Sequence, residues 1–148
     1  LLNKITRANR DGLECLHSGS ASGLVLPPHV YGRVAPHHEL AYDETFGPIM
    51  PLIISQNEEH ALELANSSEF GLASAVFTQN MDRGLRFASG IVAGITHIND
   101  ITIDDQPNAP FGGEKNSGLG RFNGSYAIDE FTRAHWVTWQ QAGHNYPF

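Results

Sequence analysis

At 148 residues the chain is long enough for one domain with its own core. A net charge of −7 argues against binding through a nucleic-acid backbone, and no run approaches the roughly 18 apolar residues of a membrane span. The charged fraction of 17% lies below the roughly 25% of an average soluble domain, which points to surface covered by a partner.

The opening, Leu1-Leu-Asn-Lys-Ile-Thr-Arg-Ala-Asn9, has neither the basic flank nor the long apolar run of a signal peptide, and it reads as the end of an amphipathic helix. The expectation is a chain that begins inside a larger protein. Leu13–Leu16 is predicted as a short strand. Cys15 is the only cysteine, so no disulfide can form within the chain, which favours a reducing, cytoplasmic location. The stretch from Leu24 to His38 is rich in Pro, Gly and His and reads as loop around a strand near Val30–Val34. Pro51–Ser55 is predicted as a buried strand.

A helix should follow, capped by Ser55 or Asn57, with Glu58 and Glu59 in the first turn where the helix dipole favours negative charge. Ala61, Leu62, Leu64 and Ala65 give it an apolar face, and Asn66, Ser67 and Ser68 end it. Ala73–Thr78 is the next strand, Met81–Ala88 the next helix, closed by Gly90, and Gly94–Ile98 another strand. Helices of about three turns between short apolar strands predict an α/β fold with a parallel sheet.

After Asp100 the pattern changes. Residues up to Pro110 are polar and without periodicity, and Gly112, Gly113, Gly118 and Gly120 crowd the next twelve residues. Long loops in compact domains are usually functional. The glycines do not form a phosphate loop: the Gly-Lys-Ser/Thr ending is missing, and no strand precedes Gly118. A rigid loop that shapes a pocket fits better. A short helix near Ser125–Phe131 follows, then a last strand, Arg133–Gln140, with Trp136 and Trp139 on opposite faces.

Two motifs bear on chemistry. Glu44-Thr-Phe-Gly-Pro48 runs into the predicted buried strand and places Glu44 and Phe46 near a sheet end. There a carboxylate can accept from the hydroxyls of a ribose, and an aromatic ring can pack on a flat cofactor ring. A capped turn with a core phenylalanine explains the same residues. The eight histidines show no metal-ligand spacing and read as surface or hydrogen-bonded groups, so no metal site is expected.

The order Glu44-Thr-Phe-Gly-Pro48, Asn66 with Phe70-Gly-Leu72, Phe77-Thr78, Gly94 with Ile98-Asn99, Pro110-Phe-Gly-Gly113, Ser117-Gly118, Gly120-Arg121 and Phe131-Thr132 resembles the C-terminal part of aldehyde dehydrogenases over roughly residues 5–140. His97-Ile-Asn-Asp100, Gly120-Arg-Phe122, and Phe131-Thr132 with Trp136 and Thr138 resemble the branch acting on aromatic aldehydes such as benzaldehyde, salicylaldehyde or vanillin.

The resemblance implies an NAD- or NADP-dependent oxidation of an aldehyde to its carboxylic acid. In that reaction a cysteine thiolate forms a thiohemiacetal, and a glutamate activates the water that releases the acid. Both groups lie upstream of the region matched, so no catalytic residue is expected here and the chain alone should be inactive. Cys15, in Leu13-Glu-Cys-Leu-His17, resembles a later strand of the family and not its nucleophile. By motif position Glu44 would hold the nicotinamide ribose and Phe46 would flank the nicotinamide ring. Asn99, Ile101, Ile103 and Phe111 would line the substrate pocket, and Arg121 would anchor the glycine-rich loop. The expected organisation is catalytic-domain portion 1–130, oligomerisation strand 131–141 and tail 142–148. The expected partners are the rest of the same polypeptide and a second copy, in a homodimer or homotetramer built through 131–141. A standalone scaffold domain that kept the fold without the chemistry is the alternative.

Overall fold

The computed structural model describes residues 1–147; Phe148, the end of the expected tail, lies outside the described residues. The chain opens with helix α1, Leu2–Arg10, whose last turn carries Arg7 and Arg10, the charge sign that the carbonyl end of a helix dipole favours. Gly12, at φ +75°, reverses the chain into β1, Glu14–His17. β1 pairs antiparallel with β2, His29–Gly32, with an irregularity between Cys15 and His17. β2 then pairs parallel with β3, Ile49–Pro51.

Between β2 and β3 lies α2, Glu39–Tyr42, a single turn absent from the sequence expectation. Its N-cap is His38, whose Nδ1 accepts from the Leu40 amide at 3.1 Å. Ala8, Tyr31, Val34 and Leu40 form a small buried core, with Leu13, Ala41, Ile49 and Ile53 packed on it. The Tyr31 hydroxyl donates to Asn9 Oδ1 at 3.0 Å, so its polar end is satisfied. Arg7 donates to both oxygens of Glu39, at 2.5 and 2.7 Å, tying α1 to α2.

The second half begins with α3, Glu58–Asn66, capped by Asn57, whose Oδ1 accepts from the His60 amide at 2.8 Å. β4, Phe70–Gly71, pairs antiparallel with the distant β7, Glu114–Lys115. β5, Ala73–Val76, pairs parallel with β6, Ile95–Ile98, through α4, Met81–Gly90, which makes a βαβ unit. Gly84 of α4 is buried where a side chain would meet Ile98. α5 spans Gly124–Phe131.

The α/β class holds, and the parallel pairings β2–β3 and β5–β6 are present, but the sheets are mixed: β1–β2 and β4–β7 are antiparallel. The expected buried strand Pro51–Ser55 is displaced. Pairing stops at Pro51, and Leu52 and Ile54 are exposed. The reason is Arg33, whose left-handed φ of +51° ends the partner strand β2. Beyond it only single bonds continue, such as Val34 N–H to Leu52 O at 3.0 Å. Residues 133–140, expected as a strand, carry no regular structure within this chain and are exposed, because no strand edge here pairs with them.

The described surface amounts to 11127 Å². A compact monomer of this mass exposes about 7,500 Å². Large apolar side chains are among what is exposed: Leu24, Phe46, Ile103, Leu119, Phe131, Trp136 and Trp139.

Candidate functional site

Glu44-Thr-Phe-Gly-Pro48 enters β3 at its amino end, so the general preference of ligands for the carboxyl ends of parallel strands does not explain the loop. Its conformation comes from local bonds. Gly47 N–H reaches Thr45 O at 2.9 Å, and Ile49 N–H reaches Gly47 O at 2.8 Å. His29 N–H takes Pro48 O at 2.8 Å, fixing the loop to the sheet. Lys4 of α1 donates to the Glu44 carbonyl at 3.2 Å and to Thr45 Oγ1 at 2.9 Å.

Lys4 thus holds the backbone of Glu44 and not its carboxylate. Among the described residues that carboxylate has no hydrogen-bond or ion-pair partner, and Phe46 is 85% exposed. A loop pinned by its main chain, presenting a free carboxylate and a free aromatic ring, fits the two contacts a nicotinamide ribose and ring would need. Within this chain Phe46 is not part of the core.

Asn99 ends β6 at φ +60°, and its Oδ1 accepts from the Thr78 amide at 2.7 Å while its own amide donates to Val76 O at 2.8 Å. It therefore clamps the ends of β5 and β6 and turns the chain into the loop that follows. Ile103 and Phe111 share one cavity: with Ile95, Thr102, Asp104 and Asp105 they line a volume of about 130 Å³. Ile101, 60% exposed, lies outside that lining. A larger adjoining cavity, about 380 Å³, shares Ile95, Asp104, Asp105 and Phe111 and adds His97 to its wall.

The glycine-rich segment reaches both cavities through Phe111. Phe111 and Phe122 exchange backbone bonds at 3.1 and 2.7 Å, closing the loop on itself. Gly94, at the start of β6, stands so close to Gly112 that any Cβ would overlap its carbonyl oxygen. Arg121 donates to Gly113 O at 2.9 Å and Gly120 O at 2.8 Å and pairs with Glu114, the anchoring role expected of it.

Cys15 lies exposed on β1, its thiol within 3.4 Å of the His17 carbonyl. No base adjoins it. Among the described residues no group of three His, Cys, Asp or Glu side chains could hold a metal ion, and no helix is long and apolar enough to cross a membrane. His97 belongs to a motif that carries the resemblance but was not among the expected site residues. Alternation on β6 puts it on the face of Ile95 and Asn99, opposite Ile98.

Comparison with known proteins gives the frame. Residues 1–137 match the profile of the aldehyde dehydrogenase family. A vanillin dehydrogenase of Corynebacterium glutamicum is 45% identical over 137 residues, which is 93% of this chain and 28% of that protein. The crystal structure of a salicylaldehyde dehydrogenase from Pseudomonas putida G7, complexed with salicylaldehyde, superposes with a TM-score of 0.89 at 37% identity. It covers 99% of this chain and 30% of its own. An aldehyde dehydrogenase of Mycobacterium tuberculosis complexed with NAD+ gives 0.83 at 32% identity, over 88% of this chain and 28% of its own. The chain thus spans less than a third of the length of these relatives. With the fold, the motif order and the profile in agreement, this chain belongs to the aldehyde dehydrogenase family.

Proposed function

We propose that the chain is the C-terminal part of an NAD- or NADP-dependent aldehyde dehydrogenase that oxidises an aromatic aldehyde to its carboxylic acid. The observation that carries this reading is the Glu44 loop, with its main chain pinned by Lys4 and its carboxylate and the Phe46 ring left outward. Glu44 accepts hydrogen bonds from the nicotinamide ribose, and Phe46 packs beside the nicotinamide. The cofactor, when bound, supplies the hydride acceptor. Ile103 and Phe111 give the aldehyde an apolar seat under the 100–110 loop. The cysteine nucleophile and the general-base glutamate belong to the upstream polypeptide, and Cys15 takes no part.

The surface excess supports this division of labour: the exposed apolar faces are those the remaining polypeptide would cover. Residues 1–130 complete the catalytic domain. Residues 131–141, with Trp136 and Trp139 exposed, add a strand to the sheet edge of a second copy, giving a homodimer or homotetramer, and 142–148 form a tail. The lone unpaired Cys15 supports a cytoplasmic location.

The test compares this chain with the longer polypeptide carrying it, each given an aromatic aldehyde with NAD or NADP. The longer protein should reduce the cofactor and this chain should not. Turnover by this chain that disappears in Cys15→Ala would overturn the assignment of the nucleophile upstream. A longer polypeptide without aldehyde-dependent activity would favour a scaffold domain. Light scattering after deletion of residues 131–148 tests the assembly: an unchanged oligomeric mass contradicts it.

A further inference from the structure

Helices α3, α4 and α5 each start at an asparagine, and the third asparagine does not cap its helix. Asn57 and Asn80 accept from the amides of His60 and Arg83 at 2.8 and 2.9 Å. Asn123 stands at the same position before α5 and makes no such bond, so the first amides of α5 go without the acceptor that stabilises the other two helices. Its φ of +70° is a left-handed conformation that asparagine tolerates better than most residues, and Gly124 follows at +52°. The Asn123 side chain is used elsewhere. Its Nδ2 donates to Asp105 Oδ1 at 2.9 Å and to the Gln106 carbonyl at 3.2 Å.

The segment that receives these bonds has little else to hold it. Residues 100–110 leave β6 without regular structure, and 101–108 are exposed. The two ends are fixed, one by the Asn99 clamp and the other by the Phe111–Phe122 exchange. Between them, the bonds from Gln106 Nε2 to Asp104 and from the Ala109 amide to Gln106 stay inside the loop. Among the described residues, every hydrogen bond that leaves 100–110 goes to Asn123 or to Gly124, whose amide donates to Pro107 O at 3.1 Å. A Cβ on Gly124 would stand 3.0 Å from the Asn108 carbonyl oxygen, so this close approach favours glycine. A loop held only at its ends samples many conformations, and a bond at mid-span removes most of them. The residues held are part of the cavity walls: Asp105 lines both cavities and Gln106 the larger one.

We propose that Asn123 is a positioning residue that clasps the 100–110 loop at mid-span and so shapes the site that takes the aldehyde, an inference that rests on the reading above of that loop as part of the substrate site. The side chain forgoes capping α5 in order to hold the loop. Its bond to the Asp105 carboxylate is charge-assisted, which makes it the stronger of the two. An aldehyde that binds only to the seated loop has its apparent affinity reduced by the fraction of time the loop is away. The Glu44 loop shares no hydrogen bond with the clasp, so cofactor binding should not respond to it.

The experiment uses the longer polypeptide and measures kcat with KM for benzaldehyde and KM for whichever of NAD or NADP it accepts. Asn123→Gly keeps the left-handed backbone and removes the donor. It should raise the aldehyde KM by about tenfold and leave kcat and the cofactor KM within about twofold. Asn123→Asp sets a carboxylate against Asp105 and should raise the aldehyde KM at least as far. Joining it to Asp105→Asn exchanges donor and acceptor and should recover most of the loss, which a residue that merely supports α5 would not do. An unchanged aldehyde KM in Asn123→Gly overturns the proposal, and so does an equal rise in the cofactor KM. Should Asn123→Gly fail to fold, the exchange decides: a double variant no better than Asn123→Asp alone overturns it. An active wild type with variants that respond flatly sinks this inference alone. A longer polypeptide that oxidises no aldehyde overturns the reading of the substrate site together with it.

Discussion

The two halves of this chain hold together in different ways. Among the described residues every buried hydrophobic side chain, Ala8, Tyr31, Val34 and Leu40, belongs to the first half, where three strands and two helices close around a real if small core. From α3 onward the buried positions are glycines: Gly84, Gly112 and Gly113. There the fold rests on close backbone approach and capped helices, and its apolar faces stay open. Both halves leave large apolar side chains exposed, Leu24 and Phe46 in the first and Ile103 and Leu119 in the second, so the contrast lies in the core and not in the surface. Both regions bear a part of the proposed site, the Glu44 loop on the first and the cavity beside β6 on the second.

The largest effect expected from that contrast is at Tyr31. Tyr31→Ala removes a wholly buried ring together with its bond to Asn9 and should cost about 3–5 kcal/mol in urea unfolding. Trp136→Ala, at an exposed ring of the second half, should change the stability of this chain by less than about 0.5 kcal/mol. Comparable losses at the two aromatic positions would erase the distinction.

Gly94→Ala is the matching probe of the second half. The new methyl group overlaps the Gly112 carbonyl, and backbone cannot move aside as a flexible side chain would, so about 1–3 kcal/mol should be lost. The cavity lined by Phe111 should be disturbed with it, because Gly112 follows Phe111 directly. A neutral Gly94→Ala would show that the glycine contact does not support this half.

A smaller, pH-dependent effect belongs to the first half alone. The Arg7 guanidinium, hydrogen-bonded to Glu39, holds the Glu39 carboxyl below the usual carboxylate range, against the opposing effect of burial. A folded value below the unfolded one adds stability that is full above the unfolded value and fades as pH falls through the folded one. Glu39→Gln should therefore lower the melting temperature most at neutral pH, and the gap to wild type should close in acid. A gap that stays constant down to the acid limit would contradict the pairing.

Much of the second half was legible because its helices announce themselves. Asn57 and Asn80 accept from the amides of His60 and Arg83, and the apolar spacing after each is helical. What escaped was non-local or conformationally unusual. The β4–β7 pair joins residues more than forty positions apart through two residues each, too short for any periodicity. α2 is capped by a histidine, a poor sequence signal, and β3 ends early because Arg33 adopts a backbone conformation that arginine does not advertise. At the site, Glu44, Phe46, Ile103 and Phe111 were read from motif order; the first two lie on an exposed loop, and the other two line one cavity. The clamp formed by Asn99 and the unsatisfied nitrogen of His97 needed three-dimensional placement, since the motif that contains both residues says nothing of their burial or partners.

Glu44 is the residue whose carboxylate this fold leaves free while fixing its backbone. The decisive measurement is cofactor affinity and single-turnover hydride transfer for Glu44→Gln in the longer polypeptide. Loss of a charge-assisted hydrogen bond to the ribose should lower both by about ten- to a hundredfold, with the melting temperature unchanged. Unchanged affinity together with unchanged hydride transfer would contradict the assignment of this loop to the cofactor.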